Sequence, residues 1–155
     1  MSTAEERLAE LGLALPEVAA PLAAYVPAVR TGSLLYTSGQ LPVVKGELPV
    51  TGKVGAEVTP EDAYEQARVC ALNALAALRA EAGGLDRIRI VKVVGFVASA
   101  PGFTGQPQVV NGASELFGAV LGERGVHARS AVGVGVLPKD APVEVEVIAE
   151  LLPDA

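Results

Sequence analysis

Between Thr59 and Gly84 the apolar residues recur at helical spacing. Ala63, Ala67, Cys70, Ala71, Ala74, Leu75 and Leu78 share one stripe, and that pattern predicts the longest helix of the chain. Thr59 can cap it, Pro60 takes its first position, and Glu61 and Asp62 stand at the positive end of the helix dipole. Gly83-Gly84 stops it. A second stripe of Val109, Val110, Ala113, Leu116, Phe117, Val120 and Leu121 predicts a helix over Gln108–Leu121, with Asn111 and Ser114 off its buried face. Near the start, Thr3 followed three residues later by Glu6 predicts a capped short helix over Thr3–Leu11, ended by Gly12.

Elsewhere the pattern changes to runs and alternations. Short strands are predicted around Tyr25–Val29 and Leu34–Ser38, turned at Thr31-Gly32. A Val/Ile-rich strand lies within Asp86–Phe103 and ends at Pro101-Gly102. Two further strands lie within His127–Val147, joined across "LPKDAP" (Leu137–Pro142). Leu13–Ala24 reads as an extended entry segment. Val43–Val58 reads as a loop long enough to belong to the functional or mobile kind. After the first short helix and the entry segment (1–24), the order is β-β-α-β-α-β-β. That order predicts a two-layer α+β fold, one sheet covered by two helices, as a single domain over 1–155.

The last strand raises a chemical question. Alternate strand residues share a face, so Val143, Val145 and Val147 meet the helices while Glu144 and Glu146 take the other side. Unpaired carboxylates are costly in an apolar core, so that second face meets water, an interface or a pocket. Upstream, Arg129, Ala131, Gly133 and Gly135 share parity. A tight turn at "LPKDAP" would set Gly135 opposite Glu144, Gly133 near Glu146 and Arg129 opposite Glu150. An arginine and a carboxylate in one cleft could grip an anion and direct a water.

Composition narrows the classes. The net charge is −6 and no Lys/Arg cluster stands out, which argues against nucleic-acid binding, since that rests on neutralising phosphates. A single cysteine excludes an intrachain disulfide, and one histidine with one cysteine cannot build a Cys/His zinc site. Cys70 lies on the apolar stripe and reads as a small buried hydrophobe. No apolar run approaches a membrane span, and the charged N-terminus "STAEERLAELG" has no apolar leader core, so a cytoplasmic soluble protein is expected. Aromatics are only 4% of residues and Gly numbers 17, a composition that permits close packing of helices on a sheet.

Four segments carry a family resemblance: "YTSGQLP" (Tyr36–Pro42), "VVNGASELF" (Val109–Phe117), "HARSAVGV" (His127–Val134) and "LPKDAPVEVEVIA" (Leu137–Ala149). In that order and spacing the chain resembles the Rid (YjgF-type) reactive intermediate deaminase family, over nearly all of Tyr25–Leu151. The resemblance implies a chorismate-mutase-like fold assembled as a homotrimer, with active sites between subunits. It implies hydrolysis of reactive 2-imino acids and their enamines to 2-oxo acids and ammonia, with no metal or organic cofactor. By the same match Arg129 grips the substrate carboxylate, Glu144 attends the water, and Tyr25, Ser38, Gly39, Asn111, Ser130 and Ala131 contribute to the pocket. Ala131 stands where shorter members often carry Cys. Tyr25 lacks the usual preceding Gly-Pro. A non-catalytic module that binds small carboxylate metabolites on the same scaffold is the alternative. The endoribonuclease role attached to the family fits the acidic charge least.

Overall fold

The computed structural model describes residues 1–18 and 23–154. Part of the predicted entry segment therefore lies outside the described residues. Three helices and five strands follow in the order α1 (Ala4–Glu10), β1 (Ala28–Thr31), β2 (Leu34–Thr37), α2 (Pro60–Ala82), β3 (Ile88–Ala98), α3 (Gln106–Leu121), β4 (Ala128–Val134) and β5 (Val143–Leu151). Thr3 caps α1 in a reciprocal capping box with Glu6. The Thr59 side chain accepts from Asp62 N at the start of α2, and Gly83 closes that helix in the left-handed region (φ 82°). α3 starts two residues earlier than the predicted Gln108, at Gln106.

The five strands form one sheet in the order β1-β2-β5-β3-β4. β3 and β4 run parallel, and the other neighbouring pairs are antiparallel. This corrects the expected β4–β5 hairpin. β3 lies between those two strands, so Arg129 is not opposite Glu150 and Gly135 is not opposite Glu144. The physical reason lies at the end of β3. Ser99 N donates to Val134 O (3.0 Å) while Ala98 N donates to Pro142 O (2.9 Å). Both flanks of that strand end are thereby taken, one by the exit of β4 and the other by the entry of β5. "LPKDAP" is a 3-10 turn rather than a tight hairpin, with Lys139 and Asp140 at positive φ, and it carries the chain across. The parallel β3–β4 pair in turn requires a crossover, which α3 supplies.

α2 and α3 cover one face of the sheet. Between helices and sheet lie Leu75, Leu78, Ile90, Val93, Val97, Val110, Phe117 and the valines of β5, all essentially inaccessible. The helices approach closely because the contact is built from small residues. A Cβ added at Gly112 of α3 would sit 2.0 Å from Tyr64 O and 3.2 Å from Ala67 Cβ of α2. The obstacle is backbone, which cannot swing aside. Gly112→Ala is therefore expected to force the helices apart and to destabilise by about 1–3 kcal/mol, read as a lowered denaturant midpoint. A midpoint equal to wild type would mean that the helices slide without cost.

α1 packs at the far end of this layer. Leu8 is buried, Arg7 Nε donates to Val120 O (2.6 Å), and Ala4 N donates to Asp86 Oδ1 (3.1 Å). The Val43–Val58 loop is anchored rather than loose. Val54 and Val58 enter the core, Val54 bridges to Ser99, and buried Asn73 of α2 donates to Leu41 O (2.9 Å) and Val43 O (3.1 Å). No helix among the described residues is long and apolar enough to cross a membrane.

Candidate functional site

The register sorts the expected site residues onto the two faces of the sheet. Arg129 pairs in level with Val93, and Val93 with Val147, both buried under the helices. Residues level with one another across a sheet point the same way, so Arg129 faces the helix layer. Glu144 is level with Phe96 and has the opposite parity, so it occupies the open face together with Glu146, Val94 and Ser130. The shared parity of Arg129 with the Gly133 side therefore does not bring it to the glutamates.

On the helix side, β4 is the sheet edge, and Arg129 reaches back to α3. Its Nη1 donates to Asn111 Oδ1 (2.7 Å) and to Ser114 Oγ (3.3 Å). Asn111 and Ser114 are three residues apart on one helix and so stand side by side. Ser114 Oγ lies 2.9 Å from His127 Nε2, and His127 Nδ1 lies 2.6 Å from Gly125 O. Among the described residues no carboxylate lies within ion-pair distance of Arg129, which is half-buried. Both Nη1 protons are committed to α3. The Nε–H and Nη2–H edge remains as a planar fork for an incoming anion. Ala131, two residues on, is partly buried against the core beside this cluster.

On the open face, the Glu144 carboxylate fits against Gly39. A Cβ at that position would lie 2.1 Å from Glu144 Oε1, so the space the carboxylate occupies exists only because residue 39 has no side chain. The chain is held there by a bridge between Gln40 and Val145, with Gln40 N donating to Val145 O (2.8 Å) and Val145 N to Gln40 O (3.0 Å). Removal from water, reinforced by repulsion from Glu146, pushes the Glu144 carboxyl above its ordinary value. Ser38 sits at the same strand end, and its hydroxyl donates to Val26 O (2.5 Å), fixing the turn back toward β1.

Tyr25 lies before β1, outside the strand expected to contain it, and is 45% exposed. With Gly39 and Gln40 it lines a groove of about 840 Å³ whose apolar wall includes Leu41, Val43 and Leu72. A smaller depression of about 280 Å³ lies on the open face between Tyr36, Lys92, Val94 and Glu146.

One chain thus divides the expected site residues into two groups. Arg129 and Asn111 form one, with Ala131 beside them. Glu144, Gly39 and Ser38 form the other, with Tyr25 across the groove. Ser130 belongs to the open face and does not join Arg129. Two strand spacings of ~4.8 Å separate β4 from β5, and three residues of ~3.3 Å separate the level of Arg129 from Glu144, or roughly 14 Å between backbones before the opposite faces are counted. A small molecule cannot touch both within one chain.

Sequence reasoning missed Ser114 and His127. Ser114 shares a helix side with Asn111, but His127 lies one residue before β4, and no periodicity in the sequence links the two. Cys70 is buried, its Sγ 3.7 Å from Val143 O, and burial raises its thiol pKa well above the usual range, so it is no nucleophile. Among the described residues no three His, Cys, Asp or Glu side chains cluster so as to hold a metal ion.

This architecture has relatives. Residues 5–151 match the family model described as "YjgF/chorismate_mutase-like, putative endoribonuclease". Protein TCP17 of Trypanosoma cruzi is 47% identical over 146 residues, covering 93% of this chain and 91% of that protein. The 2-iminobutanoate/2-iminopropanoate deaminase of Escherichia coli K12 is 36% identical over 137 residues, covering 88% of this chain and 94% of its own length. Among solved structures, the protein Atu1372 of Agrobacterium tumefaciens, described as of unknown function, superposes with a TM-score of 0.90 at 48% identity, covering 96% of this chain and 93% of that one. A model match over residues 5–151, and relatives of this identity over nearly their whole lengths, show the lineage: the chain belongs to the YjgF/Rid family.

Proposed function

We propose that this protein hydrolyses reactive 2-imino acids and their enamine tautomers to 2-oxo acids and ammonia. The observation that carries the reading is Arg129: a half-buried guanidinium that no carboxylate among the described residues neutralises, tied at Nη1 and presenting a free planar edge. A fixed fork of that shape suits a carboxylate. The deaminase name of the Escherichia coli relative supports the choice of reaction.

In the proposed reaction the substrate carboxylate rests on the Nε/Nη2 edge of Arg129. A water beside Glu144 attacks the imine carbon, forming a C–O bond as the C=N π bond opens onto nitrogen, and Glu144 takes one water proton and hands it to that nitrogen, giving the carbinolamine. Glu144 then carries the carbinolamine hydroxyl proton to the same nitrogen, the C–N bond breaks, and ammonia leaves as the carbonyl forms. Imine hydrolysis is already facile in water, so the protein needs to supply orientation and one proton shuttle, with no strong nucleophile. Ser38, Gly39, Asn111, Ser130, Ala131 and Tyr25 shape the pocket in this reading. The assay couples an amino-acid oxidase to semicarbazide trapping: accelerated imine hydrolysis lowers semicarbazone formation. Trapping unchanged by the protein across alanine-, leucine- and phenylalanine-derived imines would refute the reaction.

The two groups require a second subunit, because one chain's Arg129 and Glu144 lie on opposite faces of the sheet. A homotrimer with sites between subunits meets that requirement. Mixing Arg129→Ala with Glu144→Gln protomers under exchange is expected to restore activity above either parent, since some sites regain both wild-type residues. Proven mixed oligomers with no recovery would refute a site shared between subunits.

A further inference from the structure

We propose that Ser114 and His127 are positioning residues that aim the Arg129 guanidinium at its anion. The proposal rests on the carboxylate-anchor reading of Arg129. Proton directions along the cluster leave one consistent arrangement. Gly125 O can only accept, so His127 Nδ1 carries the hydrogen in the 2.6 Å contact. In the neutral ring Nε2 is then bare, and across 2.9 Å it accepts the Ser114 hydroxyl proton. With its proton committed, Ser114 Oγ turns its lone pairs toward Arg129 and accepts from Nη1 at 3.3 Å. The run is Arg129 to Ser114 to His127 to Gly125, every donor pointing the same way, and such chains polarise one another.

The fixed ends make this an aiming device. Gly125 is buried in the turn after α3, and a Cβ there would lie 2.2 Å from Phe117 O. The His127 ring stands edge-on to buried Phe117, with centroids 6.0 Å apart and planes at 89°. Ser114 is fixed by its helix. Asn111 takes the other Nη1 proton at 2.7 Å. Two acceptors on one nitrogen define the plane of the guanidinium, whereas Asn111 alone would leave it free to rotate about a single hydrogen bond.

The test measures binding of 2-oxobutanoate, a product-like carboxylate, by calorimetry, and turnover of the matching imine. Ser114→Ala is expected to raise Kd and KM by about tenfold with kcat nearly retained, and Ser114→Thr, which keeps the hydroxyl, to restore both. His127→Ala is expected to weaken binding in the same direction, and the double variant to be no weaker than Ser114→Ala alone, because the two act as one chain. Thermal unfolding of each variant separates aiming from simple destabilisation. Unchanged Kd in Ser114→Ala, or effects that add in the double variant, would overturn the relay while leaving the deaminase reading intact. Ser114-dependent binding with no imine turnover would keep the relay and sink the deaminase. Wild-type protein that binds no 2-oxobutanoate would overturn the anchor and the relay together.

Discussion

Arg129→Ala is expected to lose turnover of imino acids while keeping the fold. The side chain sits on the edge strand β4 and makes two hydrogen bonds to α3, and its remaining donors face no partner among the described residues. Removing it strands Asn111 Oδ1 and Ser114 Oγ, both half-buried and within reach of water, so stability should change by no more than ~1 kcal/mol. The substrate loses far more. A bidentate charge-assisted contact to a carboxylate in a partly dry site is worth about 3 kcal/mol, or roughly 10²-fold in kcat/KM. Arg129→Lys should recover little, because an ammonium cannot contact Asn111, Ser114 and both carboxylate oxygens in one plane. Near wild-type rates in the purified alanine variant would remove the carboxylate anchor from the mechanism.

The legible part of this molecule was its local part. The α2 stripe from Ala63 to Leu78 and the N-cap at Thr59 identified the long helix, and the alternation of β5 placed Val143, Val145 and Val147 correctly against the helices. Neighbours in the sheet were not legible, because period-two patterning fixes which face a residue takes and says nothing of which strand lies beside it. The assumed hairpin at "LPKDAP" was therefore wrong. Tyr25 was read into a strand whose ladder begins at Ala28, because an aromatic beside valines looks the same in sequence on either side of that boundary. Ser114 and His127 escaped for a different reason. Their partnership spans a turn, and only the three-dimensional return of β4 beside α3 closes it.

Glu144→Gln is expected to lower kcat by about a hundredfold while increasing stability at neutral pH. The rate argument follows from role: an acid that takes a proton from attacking water matters more in the transition state than in the bound ground state, so KM should hardly move. The stability argument follows from the site. Burial first, and Glu146 second, raise the Glu144 carboxyl pKa in the folded protein above its unfolded value. The folded state then binds that proton more tightly than the unfolded chain does. Its contribution to stability is full below the unfolded pKa and is lost as pH rises through the folded pKa. Once ionised, the carboxylate is held at a cost, wedged against Gly39 with Glu146 on the same face, and glutamine removes the charge. The stability gap between variant and wild type should therefore narrow as pH falls into the acid range, where the carboxyl is protonated. Wild-type kcat should fall as pH falls through the raised Glu144 pKa, and the residual rate of the variant should not follow that titration. Chemical denaturation at neutral and acid pH, run beside kcat against pH, tests both halves. A glutamine variant less stable than wild type at neutral pH would mean that the carboxylate is favourably held there, and the argument for a desolvated base would fail with it.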